Sequence, residues 1–381
     1  MRVGLVIYGS LETLTGGYLY DRKLVEHLRA HGDEVEVVSL PWRGYGRHLA
    51  DNAARSLRTR LGGRRYNVLV QDELNHPSLV LTNRRLRRDG GCPIVSIVHI
   101  LRVDERPDAR LGAMYAAVER RYLRGVDAAV FSCSAVRASA EALVRGPLRG
   151  VVARPCADHL GPAADEGDIR RRARTDGPLR IVSVANVVPR KGLHVLLEAL
   201  RRLPAKLWRL TVAGSLTIEP RYVRGIRRAV NEGGLEDRVD LLGAIDPERL
   251  PALLAAHDVL AVPSTAEGLA IAYLEAMHCG LPVIATAAGG AGEIVEHGRE
   301  GWLVAPGDAA VIAHHLGRLT GDRELLARMG VAARRRIDDH PSWQASLAPV
   351  RELLASLAAD SPRRGAPRGC ASTGGQAHDH Q

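Results

Sequence analysis

Short runs of apolar residues alternate with stretches in which apolar positions recur every three or four residues, from the first residue to about 358. The runs read as strands buried on both faces and the stretches as amphipathic helices, the pattern of a parallel sheet wrapped by helices. In the first half, strands are expected at Arg2–Tyr8, Glu34–Ser39, Asn67–Gln71, Pro93–His99, Ala128–Ser132 and Val151–Arg154. Helices are expected near 17–30, 47–62, 76–88, 108–124 and 134–146. The pattern fails around Ala157–Arg180, where Gly, Pro, Asp and Arg dominate. It resumes with strands at Arg180–Ala185, Arg209–Ala213, Arg238–Leu242, Val259–Val262, Pro282–Ala285 and Gly301–Val304, and with final helices near 321–337 and 342–358.

This predicts two Rossmann-like, doubly wound domains, over 1–160 and 180–337, joined by a linker at 161–179. A C-terminal helix over 338–359 is expected to pack back toward the first domain, and 360–381, with almost no apolar residues, to be a disordered tail. Doubly wound sheets bind ligands beyond the carboxyl ends of their strands. The two domains should therefore face one another across a cleft, with the site residues just after strands.

Composition narrows the class. A chain of 381 residues that is 46% hydrophobic and 25% charged has material for a real core, which excludes a mostly disordered protein. Five cysteines, at 92, 133, 156, 279 and 370, include no Cys-x-x-Cys pair, so neither a disulfide framework nor a zinc site is indicated. No apolar run approaches the roughly 20 residues of a membrane span. The apolar start, Val3 to Tyr8, is too short for the core of a signal peptide. A cytoplasmic location is expected. The +10 net charge is uneven: residues 1–180 hold 30 Lys+Arg against 21 Asp+Glu, and residues 181–381 hold 23 against 22. The first half should favour anionic partners, either a small molecule or a lipid. Leu49, Ala53, Leu57 and Leu61 beside Arg55, Arg58 and Arg60 make 47–61 a candidate for peripheral binding to the inner, anionic membrane face. The same residues also read as a surface helix with its leucines packed inward. Nothing points to nucleic acid.

The richest chemistry follows the strand at 259–262. Pro263-Ser264-Thr265-Ala266-Glu267-Gly268 leads into a helix expected from Leu269, whose free N–H groups suit a phosphate. Glu267 and Glu275 are placed to accept hydrogen bonds from vicinal hydroxyls of a sugar, although two such glutamates alone also fit a solvated helix face. After the strand at 180–185 comes Val187-Val188-Pro189-Arg190-Lys191-Gly192, and Lys191 is one of only three lysines beside 50 arginines. Cations at a helix start are unfavourable by themselves and suggest an anion between them. Gly16-Gly17 could let backbone approach a ligand. His99 ends a strand, and Asp72-Glu73 stand at another strand end as either a general base or solvated rim acids. Ser215 follows a further strand, and Arg102 lies in a segment suited to acceptor choice.

The Glu267-x7-Glu275 spacing, with Ala276-Met277, Gly280-Leu281-Pro282-Val283-Ile284-Ala285, Gly289-Gly290, Glu293-Ile294-Val295 and Gly301-Trp302-Leu303-Val304, closely resembles the family 4 retaining glycosyltransferases of the GT-B fold. The resemblance covers about 1–340 and is sharpest over 180–305. It implies a metal-independent transfer from a nucleotide-sugar, most simply a UDP- or GDP-sugar, with retention at the anomeric carbon and no cofactor. Within it, Glu267 contacts donor-sugar hydroxyls, Glu275 holds the ribose, and the amides of Gly268, Leu269 and Ala270 meet the diphosphate. Lys191 matches the family's phosphate-gripping lysine, whereas Asn186 stands at the arginine position and Ala185 at the preceding glycine. Arg190 is then the candidate for the second charge. Gly16-Gly17 and His99 match positions near the donor. No Asp-x-Asp, no phosphate-loop motif and no complete dinucleotide fingerprint occur. That disfavours a two-domain oxidoreductase, while Asn186 leaves open a sugar-nucleotide-binding protein without turnover.

Overall fold

The computed structural model describes residues 1–62, 65–105 and 111–360. The tail expected at 360–381, apart from Asp360, and the start of the helix expected at 108–124 lie outside the described residues. Two six-stranded, all-parallel sheets are present. The N-terminal sheet comprises β1 (Arg2–Tyr8), β2 (Glu34–Leu40), β3 (Val68–Asp72), β4 (Ile94–Val98), β5 (Ala128–Phe131) and β6 (Gly150–Val152), in the order β2-β1-β3-β4-β5-β6. The C-terminal sheet comprises β7 (Leu179–Val184), β8 (Trp208–Ala213), β9 (Val239–Gly243), β10 (Val259–Val262), β11 (Val283–Thr286) and β12 (Gly301–Val304), in the order β12-β11-β10-β7-β8-β9. β3, β4, β5, β10 and β11 are buried throughout their length, which accounts for their unbroken apolar character.

Helices cover both sheets. Those of the first half are α1 (Gly16–Ala30), α2 (Tyr45–Asp51), α3 (Arg55–Leu61), α4 (His76–Arg88), α5 (Arg102–Glu105), α6 (Gly112–Leu123) and α7 (Ser134–Val144). They are followed by α8 (Glu166–Ala173), α9 (Leu193–Arg201), α10 (Pro220–Glu232), α11 (Leu250–Ala255), α12 (Ile271–His278), α13 (Ala309–Gly321), α14 (Arg323–Asp338) and α15 (Trp343–Asp360). α15 lies on the N-terminal domain, where Leu347, Val350, Leu354 and Leu357 share a core with Leu24, Val25 and Leu28 of α1. Arg351 pairs with Asp33 there at 2.7 Å.

Two expectations are corrected. The segment 161–179 is not an open linker, because it contains α8. Asp165 caps that helix by accepting from the Gly167 N–H at 2.7 Å, and Ile169 and Ala173, one turn apart, are both buried. Two apolar residues in an Arg-rich stretch left little periodicity to read. The helix expected over 47–62 is two helices broken at Asn52–Ala54, where the buried Asn52 side chain donates to the Leu49 and Pro77 carbonyls. Leu57 and Leu61 are buried and Ala53 is exposed, so the leucines face the core and Arg55 and Arg60 face solvent. No helix among the described residues is long and apolar enough to cross a membrane.

Strand order reverses between β1 and β3 in one sheet and between β7 and β10 in the other, the places where doubly wound folds bind ligands. The loops leaving these four strands carry Gly16-Gly17, Asp72, Arg190-Lys191 and Glu267-Gly268. A continuous apolar cluster runs from Leu101, Cys133 and Val136 of the N-terminal domain to Leu269, Ala291 and Ile294 of the C-terminal one. The two sets of loops therefore pack against each other.

Candidate active site

On the C-terminal side, β7 is followed by a single 3₁₀ turn, Pro189–Lys191, before α9. Gly192 links them with φ +70°, and a Cβ there would lie 2.1 Å from the Pro263 carbonyl oxygen, so only glycine fits. This presses the turn against the loop after β10, where the Thr265 N–H donates to the Arg190 carbonyl at 2.8 Å. Glu267 is buried at the centre. Its Oε1 accepts from Lys191 Nζ, and from Ser264 Oγ at 2.6 Å. Arg190 Nη1 lies 3.5 Å from Glu267 Oε2 and donates to the Ala266 carbonyl at 2.8 Å. Burial alone would raise the Glu267 pKa, but the charges of Lys191 and Arg190 outweigh it and hold the carboxyl below its usual range.

Next to this cluster, α12 begins at Ile271 rather than Leu269, with no side-chain cap. The N–H groups of Gly268, Leu269 and Ala270 donate to no acceptor among the described residues. A Cβ on Gly268 would stand 1.9 Å from the His99 carbonyl oxygen, so this loop touches the opposite domain directly. Glu275 faces elsewhere than Glu267: its Oε1 lies 3.0 Å from Nε2 of His159, whose Nδ1 accepts from Trp343 Nε1 at 3.3 Å. Asn186 Oδ1 accepts from the Ser215 N–H at 3.0 Å, which ties the ends of β7 and β8 together. The side chain at the expected arginine position is thus a strut between loops, and Arg190 is the cation beside Lys191.

The N-terminal wall is built from α1 and the ends of β3 and β4. Thr15 caps α1 by accepting from the Tyr18 N–H at 3.3 Å. A Cβ at Gly16 would meet Ile271 at 3.7 Å and one at Gly17 would meet the His99 ring at 3.3 Å, so the glycine pair lies between α12 and His99. His99 Nε2 is 3.5 Å from Oδ1 of the fully buried Asp21. Burial disfavours the imidazolium, but Asp21 and then Asp72 overcome it and raise the His99 pKa. Asp72 is buried, not a solvated rim acid, and burial with the neighbouring Asp21 charge pushes its carboxyl up.

Glu73 faces inward, away from the cleft. It packs with His76 at 2.8 Å and with Glu119, and burial raises both carboxyls far above the usual range. Glu119 accepts from the N–H of Arg102 at 2.6 Å and of Val103 at 3.3 Å, which anchors the start of α5. From α5, Glu105 reaches across to Arg190 Nη2 at 3.2 Å and also pairs with Arg102 at 3.2 Å. Asp21, Glu105, Glu119 and His159 are site residues that sequence reasoning missed. Asp21 alone left a signal, as a carboxylate on the inward face of an amphipathic helix. Among the described residues, two groups bring carboxylate and imidazole ligand atoms within 4.8 Å of each other: Asp21, Asp72 and His99, and Glu73, His76 and Glu119. Either set of donors could hold a divalent cation, and a proton shared between neighbouring groups is the alternative.

Residues 165–336 match the model of the family Glycosyl transferases group 1. In three dimensions the chain superposes on HepE of Anabaena, crystallised with UDP and glucose, with a TM-score of 0.74 at 22% identity over 93% of this chain and 100% of that one. It superposes on sucrose-phosphate synthase of Thermosynechococcus elongatus with a TM-score of 0.79 at 23% identity, over 94% and 99%. The fold is GT-B. In sequence, 219 residues are 34% identical to a GDP-mannose-dependent α-(1-6)-phosphatidylinositol monomannoside mannosyltransferase of Mycolicibacterium smegmatis, 52% of this chain and 56% of that protein. Another 31% match, over 207 residues, is to the amylovoran biosynthesis glycosyltransferase AmsK of Erwinia amylovora, 52% of this chain and 50% of that protein. The chain spans about half the length of these curated relatives. The GT-B fold explains why the four site loops meet: both sheets present the carboxyl ends of their strands to one cleft.

Proposed function

We propose that the protein is a retaining, family 4 glycosyltransferase that moves a sugar from a nucleoside-diphosphate sugar to an acceptor held on the N-terminal wall. The observation that carries this reading is the Lys191–Glu267–Arg190 cluster set beside the free N–H groups of Gly268 to Ala270. A diphosphate entering there would take Lys191 and Arg190 from Glu267 and accept from those N–H groups. Glu267, freed of its cations, would then accept from hydroxyls of the donor sugar. In the transfer, the bond from the anomeric carbon to the β-phosphate oxygen breaks and its electrons stay on that oxygen. The acceptor hydroxyl bonds to the same face of the anomeric carbon, and its proton passes to the departing phosphate. The leaving group is the site of developing charge, so fixed donors around it are the main catalytic contribution. Two cations and three N–H groups supply that stabilisation without a metal or other cofactor.

Glu275 would hold the ribose through the oxygen that His159 leaves free. The names of relatives and neighbours support a GDP- or UDP-sugar. The excess of Lys and Arg in the first half supports an anionic acceptor, and the outward Arg55 and Arg60 support a cytoplasmic enzyme touching an anionic inner membrane surface. With Leu57 and Leu61 in the core, that contact would be electrostatic. It should bind anionic vesicles only and be released by salt. A screen of UDP- and GDP-sugars for nucleoside diphosphate release without acceptor tests the activity. Release from at least one donor is expected. A raised melting temperature without release would favour a sugar-nucleotide-binding protein that does not turn over.

A further inference from the structure

Both carboxylate oxygens of Asp21 are buried and have no hydrogen-bond partner among the described residues. A buried carboxylate without a partner is costly, and one that persists calls for a counter-charge. The nearest group able to supply it is His99 Nε2, at 3.5 Å, which is itself buried without a hydrogen-bond partner. That distance is in ion-pair range but longer than a well-formed hydrogen bond.

We infer that Asp21 is a positioning residue that holds His99 as an imidazolium, with Nε2 turned to α1 and the opposite edge of the ring presented to the cleft as a third cation facing the donor. The His99 side chain is 20% exposed while Nε2 is buried, so the edge a ligand can meet is the one away from Asp21. Tyr20 from α1 fixes the ring in an edge-on contact with centroids 5.1 Å apart. Gly17, also from α1, lies against its Cδ2. The carbonyl of His99 accepts from Ser132 Oγ at 2.9 Å and abuts Gly268, so the residue is anchored at the start of the loop with the free N–H groups.

The charged and titratable groups facing the ring are Asp21 and Tyr20 from α1 and Asp72 from the end of β3. The charge of Glu105 of α5 bears on Asp72. With Asp21 and Asp72 close by and, among the described residues, no cation of its own wall facing it, the ring is held in its charged form against burial. Lys191 and Arg190 come from the C-terminal domain, so a charged His99 would surround the leaving diphosphate from both sides of the cleft.

The assignment rests on reading the cleft as a sugar-transfer site, but its test does not. Protein labelled at histidine is titrated by NMR, with His99→Gln identifying the resonance. In the native chain His99 should titrate above the ordinary 6.5, and in Asp21→Asn below it, because burial then dominates. Asp72→Asn should move it in the same direction by less, which keeps the question decidable if Asp21→Asn fails to fold. In the donor assay, the alkaline limb of the pH profile should move to lower pH in Asp21→Asn. Turnover at pH 7.5 should then fall about tenfold for every pH unit by which that limb moves, while activity at acid pH is largely recovered. An unchanged His99 titration in both variants would overturn the assignment. So would displacement of the His99 proton by micromolar Mg²⁺ or Mn²⁺, which would make Asp21, Asp72 and His99 a cation site. Failure of donor hydrolysis with the His99 titration behaving as expected would count against sugar transfer alone.

Discussion

The two walls of the cleft hold charge in opposite ways. On the C-terminal wall, Glu267 is ionised by Lys191 and Arg190, and every partner comes from the same domain within two adjoining loops. On the N-terminal wall, Asp72, Glu73 and Glu119 are carboxyls pushed toward their neutral forms by burial, and among the described residues His99, His76 and Arg102 answer them. On the proposed reading, one wall is an anion site whose internal counter-ion, Glu267, gives way to the diphosphate. The other stores protons and fixes geometry. This division suits a reaction in which a diphosphate arrives and leaves on one side while the other side orients an uncharged hydroxyl.

The sharpest way to break the comparison is at Lys191. Lys191→Ala should lower donor turnover about 10²–10³-fold, the size of one lost transition-state donor, as read by nucleoside diphosphate release. No change would move phosphate stabilisation away from that wall. Glu275→Ala should instead weaken donor binding by roughly 10–150-fold, the loss of one charge-assisted hydrogen bond of about 1.5–3 kcal/mol. If calorimetric titration gives native affinity in a folded variant, Glu275 serves only to hold His159 and Trp343.

The proton-storing wall makes an opposite prediction for pH. Glu73 has its folded pKa raised from 4.5 to about 8, so the folded state keeps a proton that the unfolded chain has lost. That group's contribution is full at pH below 4.5 and declines as pH rises toward 8. Glu267, with its folded pKa lowered, contributes above the ordinary glutamate range and loses that contribution as pH falls through its folded value. Glu73→Gln should therefore narrow the gap between melting temperatures at pH 5.5 and pH 8, by roughly 2–4 °C for each kcal/mol removed. A gap of native size would place the stored proton elsewhere. The smallest effect belongs to Glu105→Gln, which frees Arg190 from its ion pair with the opposite wall. A partly exposed pair is worth about 0.2–1 kcal/mol, so donor affinity should tighten by up to about fivefold. Weaker binding would mean that Glu105 orients Arg190 rather than competing for it.

The same contrast separates what the sequence disclosed from what it concealed. β1, β10 and β12 have the expected bounds and the other strands differ by one or two residues, because buried parallel strands are unbroken apolar runs. Lys191, Glu267 and Gly268 were legible because their partners lie in short loops that follow predictable strands. α8 was concealed by having only two buried apolar residues. Asp21 with His99, Glu105 with Arg190 and His159 with Glu275 were concealed because each pair joins distant segments, and residue spacing says nothing about which strand ends face each other. Even Asp72 and Glu73, found by position, are buried members of two neighbouring clusters rather than solvated acids.

The central claim is that a nucleoside diphosphate exchanges places with Glu267 at Lys191 and Arg190. A crystal structure of the protein with a nucleoside-diphosphate sugar, from whichever of UDP or GDP raises its melting temperature, tests it directly. The account predicts β-phosphate oxygens within hydrogen-bond distance of Lys191 Nζ and the N–H groups of Gly268 to Ala270, with Glu267 turned to the sugar. A nucleotide bound elsewhere, or Lys191 still paired with Glu267 beside a bound diphosphate, would contradict it.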